Sequence, residues 1–157
     1  MMKELEKGCY VLFLRLTDEC SIKIGSLGIH KMPRGLYAYV GSAKGPGGLK
    51  ARVKRHFKKV KKIKWHIDYL IARPECFIEA AILVKSDELE EITLVKLLEE
   101  IGGIHLIRGF GSSDDKLALS HLLYFGDVSL ESISKELMAR LKVKVITVLH
   151  KDTLKRI

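Results

Sequence analysis

The chain contains 157 residues, of which 47% are hydrophobic and 30% are charged, and its formal net charge is +9. This length and balance predict one soluble globular domain and exclude a disordered tail. No apolar run approaches the roughly 18 residues of a membrane-spanning helix, and no secretory signal precedes the first predicted strand. We therefore expect a cytoplasmic protein with no membrane partner.

Two long strands are predicted in the first part of the chain. Residues 8–16 are rich in β-branched and aromatic types, and residues 36–41 repeat that pattern, so we expect two buried strands that pair antiparallel. A short extended piece at residues 21–24 and a turn containing several glycines separate them. Alternation places Tyr10 on one face of the first strand, and Tyr37 and Tyr39 on one face of the second.

A helix is predicted after the glycine-rich loop at residues 41–48. Its buried stripe, at helical spacing, consists of Leu49, Val53, Phe57 and Val60. Arg52 and His56, which are four residues apart, lie beside this stripe on one edge. The opposite side carries Lys50, Lys54, Lys58 and Lys61. This helix can therefore hold two functional groups near the sheet while it presents lysines to solvent.

Further elements alternate along the rest of the chain. Residues 65–71 predict a short helix that ends before Pro74, and residues 76–84 predict a third strand. Ser86 or Asp87 can cap a helix that runs to Glu100 and ends at Gly102 and Gly103. A strand-like stretch at residues 104–110 and a polar turn at 111–115 follow. Ser129 then caps a helix to Leu141, and residues 142–149 alternate as a final strand.

This order of elements predicts an α+β fold, a small antiparallel β-sheet flanked by helices. We expect a single domain over residues 1–157, with a core at about 8–125 and a C-terminal helix–strand extension at 126–157. The three cysteines, Cys9, Cys20 and Cys76, lack the spacing of a zinc site, so we expect neither disulfides nor structural zinc. Cys9 and Cys76 lie in apolar stretches and are expected to be buried.

The positive charge is concentrated in one segment. Residues 44–64 hold ten Lys or Arg among 21 residues and no Asp or Glu, while the rest of the chain has 18 basic and 19 acidic residues. Such a localised cationic surface is typical of a protein that binds a polyanion, although a solvated helix face remains an alternative. The candidate nucleic-acid-binding residues are Lys44, Lys50, Arg55, Lys58, Lys59, Lys61, Lys62 and Lys64.

Several motifs, taken in order, resemble the GIY-YIG nuclease superfamily. Residues 8–10 (GCY) resemble its GIY element and residues 39–41 (YVG) its YIG element, each on one of two successive strands. Residues 49–52 (LKAR) fit its helix with an arginine, and Glu91 followed by residues 94–96 (LVK) fits its glutamate motif. Strings such as YVGSA, WHIDYL and GFGSSD are similar to an uncharacterised branch of the superfamily, found alone or fused to DNA-repair glycosylases.

The resemblance implies a metal-dependent endonuclease that hydrolyses phosphodiester bonds in DNA. Glu91 would hold a single Mg²⁺ or Mn²⁺, and Arg52 would grip the phosphate and stabilise the charge of the transition state. Tyr10 would orient or deprotonate the attacking water, with Tyr39 in support. His56, one helical turn from Arg52, is a second candidate for the base.

Alternatives remain open at this point. A strand tyrosine is usually a packing residue, and an arginine or glutamate on a helix is usually solvated. The late asparagine of many GIY-YIG nucleases has no clear counterpart, which favours a second reading as an inactive nucleic-acid-binding module that delivers a DNA-repair partner. A nucleotide site on the glycine loop is disfavoured because the loop lacks a GK[ST] ending. RNA in place of DNA is also open.

Overall fold

The computed structural model describes residues 6–58, 61–112 and 117–141, together with the backbone of one strand at 147–150. The strands are β1 (Gly8–Leu16), β2 (Cys20–Lys23), β3 (Ile29–Met32), β4 (Gly35–Ala43), β5 (Cys76–Lys85), β6 (Leu122–Tyr124) and β7 (Thr147–His150). The α-helices are α1 (Gly48–His56), α2 (His66–Ile71), α3 (Glu91–Ile101) and α4 (Leu130–Arg140). The predicted α+β class is confirmed.

Five strands form one antiparallel sheet in the order β6-β4-β1-β5-β7, and β2 pairs with β3 in a separate hairpin. β1 and β4 are hydrogen-bonded neighbours over nine residue pairs, from Gly8 opposite Ala43 to Leu16 opposite Gly35. β5 pairs along the other side of β1. Because β1 has a partner on both sides, its backbone is the most firmly held in the sheet, and it carries Tyr10 at the centre of the fold.

Each face of the sheet is covered by its own pair of helices. Strand alternation sends Tyr10, Leu12 and Leu14 to one face, where α1 and α2 pack. It sends Cys9, Val11 and Phe13 to the other face, where α3 and α4 pack. The sheet is thus buried on both sides, which explains why β1 has an almost unbroken run of apolar residues.

The C-terminal extension belongs to this same packing. Ile133 and Leu137 of α4 are buried in the apolar cluster that also holds Leu94 and Leu98 of α3. Ser129 accepts a hydrogen bond from the backbone N–H of Ser132 and caps α4, as predicted. β7 adds an outer strand beside β5. No helix in the described ranges is long and apolar enough to cross a membrane.

Three expectations about the elements are wrong. Residues 104–110 form turns and a single bridge from Ile104 to Tyr124, and the strand at this edge is β6, which was not predicted. α3 begins at Glu91, because the Ser86 hydroxyl instead accepts from the N–H groups of Glu88 and Leu89 in a preceding turn. α1 ends at His56, so Lys61 lies beyond the helix.

Other expectations hold or fall outside the described ranges. Leu49 and Val53 are buried as the helical stripe predicts, and Cys9 and Cys76 are buried too. Val60, residues 113–116 of the polar turn and residues 142–146 of the final strand lie outside the described residues.

Candidate active site

The side chain of Tyr10 lies across Gly41 on the neighbouring strand. These two residues face each other in the register of β1 and β4. A Cβ atom built on Gly41 would lie 2.8 Å from Cε2 of Tyr10 and closer still to its Cζ and hydroxyl. Only glycine therefore leaves room for the phenol at this position, which gives the last residue of the YVG element a steric role.

The Tyr10 hydroxyl is hydrogen-bonded to His56 at the end of α1. Its oxygen lies 2.7 Å from Nε2 of His56, and both side chains are buried. Nδ1 of His56 has no hydrogen-bond partner within the part of the chain that the structure describes. The Tyr39 ring lies edge-on to the imidazole at 6.1 Å between centroids. Helix α1 thus brings His56 to the two strand tyrosines.

Burial keeps this group of side chains neutral. Burial raises the pKa of Tyr10 well above its usual range; Tyr39 adds to that rise, and the nearby Arg52 guanidinium opposes it. Burial also lowers the pKa of His56 to about 3, and the positive charge of Lys61 lowers it further. A neutral imidazole and a neutral phenol share the hydrogen bond at pH 7, and the phenol, as the stronger acid, is its natural donor.

Arg52 is held from several sides next to Tyr10. Its Nη1 donates to the carbonyl oxygen of Ser42 at 3.2 Å. Its Cζ lies 4.6 Å from the centroid of the Trp65 ring, within the range of a cation–π contact. The half-buried guanidinium is therefore fixed where β4 leaves the sheet, one helical turn before His56.

Glu91, the first residue of α3, approaches the same place from the other side of the sheet. Its carboxylate raises the pKa of both Tyr10 and Tyr39, after burial, which is the larger cause for each. Its Oε2 lies 3.0 Å from Nδ1 of the buried His121. A Cβ on Gly111 would contact both Tyr39 and His121, which locates these two rings side by side.

An open cleft of about 350 Å³ lies next to these side chains. Its lining includes Glu91, Ser42 and Lys44, so the carbonyl that Arg52 binds and the Glu91 carboxylate border the same space. The described residues contain no group of three or more His, Cys, Asp or Glu that could enclose a metal ion. Glu91 and His121 are the donors closest to forming one at this site.

A buried carboxylate organises the segment behind Arg52. Asp68 is completely buried and binds both terminal nitrogens of Arg55 at 3.0 Å. It also accepts from the backbone N–H groups of Lys64 and Trp65. Burial alone would raise the pKa of Asp68, but these hydrogen bonds, that of Arg55 first, hold it below its usual value.

The structure divides the candidate nucleic-acid-binding residues. The exposed ones are Lys44, Lys50, Lys58, Lys62 and Lys64. Arg55 is half-buried against Asp68, and the side chain of Lys61 is only 8% exposed, 3.9 Å from the same carboxylate. The expectation that Lys61 faces solvent is therefore wrong, because the chain turns inward after α1. Lys59 lies outside the described residues.

The structure thus brings Tyr10, Tyr39, Arg52, His56 and Glu91 together. Residues 9–143 match the profile of a domain of unknown function, DUF123. The chain belongs to this family. The DUF123 match begins in β1 and extends past the end of α4, so it spans both helical layers of the fold. No curated protein and no solved structure matches the chain.

Two contributors to this site were missed by sequence reasoning. His121 lies 30 positions after Glu91 in an irregular stretch, and no motif marks it. Trp65 and Asp68 were noticed only as a packing residue and a structural residue. The acidic Asp68 directly after a segment of ten basic residues was the one available signal, since a lone carboxylate there needs a cationic partner.

Proposed function

We propose that this chain is an endonuclease-type domain that hydrolyses phosphodiester bonds in DNA with one Mg²⁺ or Mn²⁺ ion. The observation that carries the proposal is the meeting of Tyr10, His56 and Arg52 beside a cleft lined by Glu91. The resemblance of these positions to the GIY-YIG motifs supports it. A cytoplasmic location and a role in DNA repair or processing are parts of the same proposal.

Arg52 supplies the phosphate contact. Its guanidinium is planar and always charged, which suits the oxygens of a phosphodiester, and it lies beside the Tyr10 phenol rather than in open solvent. Donors that are already fixed need little reorganisation when negative charge develops on phosphorus ligands. Arg52 is therefore assigned to stabilising the transition state.

Tyr10 and His56 form a relay for the proton of the attacking water. As the water oxygen bonds to phosphorus and the P–O ester bond breaks, the water proton passes to the Tyr10 oxygen, whose own proton moves to Nε2 of His56. The leaving oxygen takes a proton from solvent. Nearby cations lower the pKa of His56 after burial, so the negative charge of a bound phosphate raises it and favours this transfer.

A divalent ion fits this site only in the form that keeps most of its water. Mg²⁺ is commonly bound through one or two carboxylates together with substrate phosphates. Glu91 would hold the ion, with His121 adjacent to its carboxylate. When bound, such an ion would supply positive charge to the phosphate oxygens and to the leaving oxygen.

A second candidate is a module of the same fold that binds nucleic acid without cutting it. The pKa values favour it in one respect, because Tyr10 and His56 are both neutral at rest and neither is a strong base. The exposed lysines on and after α1 would serve either function equally well.

The deciding experiment measures cleavage and binding separately. Supercoiled, branched and flap DNA, and RNA, are incubated with the protein with and without Mg²⁺ or Mn²⁺, and binding without metal is followed by fluorescence anisotropy. We expect metal-dependent cleavage of DNA. Arg52→Ala should reduce cleavage by at least about 10²-fold and binding far less, because its charge matters most in the transition state.

Glu91→Gln removes the charge but keeps the shape, so cleavage should vanish while binding without metal survives. Glu90→Gln is the matched control, since this neighbour lines the same cleft but is not part of the assigned site. Full activity of Glu91→Gln would place the ion elsewhere. Binding without cleavage of any substrate would favour the non-cutting module.

A further inference from the structure

The ring of Trp65 is surrounded by positive charge. Arg52 and Arg55 place their Cζ atoms 4.6 and 4.2 Å from its centroid, and Nζ of Lys64 lies at 5.0 Å. All three distances are within the range of cation–π attraction. Trp65 is also half-buried, with His56 packed at 5.9 Å between ring centroids. An aromatic ring occupied in this way is not free to stack on a nucleobase.

The position of Trp65 is set by Asp68. Trp65 immediately precedes α2, and its backbone N–H donates to Oδ2 of Asp68 at 3.0 Å, next to the same contact from Lys64. The other partners of this carboxylate are the two nitrogens of Arg55. Each contact uses an ionised acceptor that is wholly buried, so the turn that carries the indole is rigidly defined.

A lysine ties this turn to the end of α1. Nζ of Lys61 donates to the carbonyl oxygens of Arg55 and His56 at 3.2 and 3.1 Å and lies 3.9 Å from Asp68. The helix that carries Arg52 and His56 is thus connected to the segment that carries Trp65 by side chains at both ends.

We propose that Trp65 is a positioning residue, which holds the Arg52 guanidinium beside Tyr10, and that Asp68 fixes Trp65 for this purpose. The inference rests on the role proposed above for Arg52. An arginine side chain has many rotamers, and the carbonyl of Ser42 restrains only one end of its fork. The indole face removes the remaining freedom, so phosphate meets a donor that is already oriented.

The first test is spectroscopic and needs no cleavage. Trp65 is the only tryptophan in the chain, so intrinsic fluorescence reports on this ring alone. Arg52→Ala should change the emission maximum and increase acrylamide quenching, because a covering group is lost. Lys54→Ala, an exposed residue of the same helix, should leave both unchanged. Identical spectra of the wild type and Arg52→Ala would overturn the contact.

The second test compares two substitutions of the ring. Trp65→Phe keeps an aromatic face and should retain cleavage within about threefold, while Trp65→Leu should lower kcat by about 10–10²-fold. DNA affinity without metal should stay within about threefold in both variants. A loss of affinity with unchanged kcat would instead identify Trp65 as a base-stacking residue and overturn the proposal. Equal loss of kcat in both variants would overturn it as well.

The two tests separate this inference from the proposed function. If the wild type cleaves no substrate, the proposed function fails, and the fluorescence of Arg52→Ala still decides whether Trp65 holds the arginine. If Trp65→Leu does not fold, as judged by thermal unfolding, Asp68→Asn replaces it. Loss of this buried charge should expose Trp65 to acrylamide and lower kcat, and unchanged quenching would overturn the role of Asp68.

Discussion

Replacing Gly41 with alanine should displace the Tyr10 phenol. The added methyl would lie 2.8 Å from Cε2 of Tyr10 and nearer to its hydroxyl end, whereas ordinary contact begins at 3.4 Å. The separation must therefore grow by roughly 0.6 Å at Cε2 and by more at the hydroxyl. β1 is hydrogen-bonded to strands on both sides, so the backbone cannot yield easily and the side chain must move.

This movement has two measurable consequences. Overpacking a closed core costs about 1–3 kcal/mol, and the 2.7 Å hydrogen bond from Tyr10 to His56 is stretched or broken. The free energy of unfolding in urea should therefore fall by about 2–3 kcal/mol. Cleavage, if Tyr10 acts as proposed, should fall by about 10²-fold, because a displacement of this order disrupts catalytic geometry.

Gly45→Ala is the matched control, since a Cβ atom there has no neighbour within 4 Å among the described residues. It should change stability by less than about 0.5 kcal/mol. Equal stability of Gly41→Ala and Gly45→Ala would show that the phenol does not lie over Gly41, and the steric reasoning would be refuted.

The remaining predictions concern pH, salt and a helix cap. The folded-state pKa of His56, lowered to about 3 by burial and then by Lys61, lies below its usual 6.5, so stability that is complete above pH 6.5 should fall as the pH drops toward 3. The loss is at most roughly 1.4 kcal/mol per pH unit, and urea unfolding of His56→Gln between pH 7 and pH 5 should lose much of this slope. Removing three exposed lysines of the basic segment should make log Kd for DNA less dependent on log salt by up to about 0.9 for each contact, while removing three elsewhere should not. The two triple-alanine variants replace Lys50, Lys54 and Lys58, or Lys31, Lys96 and Lys135. Ser129→Ala should lower the free energy of unfolding by about 1 kcal/mol through loss of the α4 cap, whereas an unchanged urea midpoint would mean that this end of the helix frays in any case.

Local patterns were sufficient where a segment packs along its whole length. β1 was predicted with the correct ends, and β4 extends its prediction by only a few residues, because both alternate apolar side chains between two buried faces. The end of α3 at Gly102 was also predictable, since this residue has a φ of 115°, which favours glycine.

Patterns misled where tertiary contacts decided the local structure. The residues from 104 to 110 read as a strand, but the edge of β4 is occupied by the short β6, so only Ile104 forms a bridge. The start of α3 was placed too early because Ser86 caps a turn as readily as a helix. Lys61 was placed on a solvent-facing helix, yet the buried charge of Asp68 draws it inward.

The candidate site shows the same division. The sequence by itself identified Tyr10, Arg52 and Glu91, because each belongs to a short motif, and it determined that positive charge is concentrated near Arg52. Only the tertiary structure decided that Glu91 meets His121 and that Trp65 covers Arg52. These contacts join elements from both faces of the sheet, and a contact between distant segments depends on register and helix packing, which no local spacing encodes.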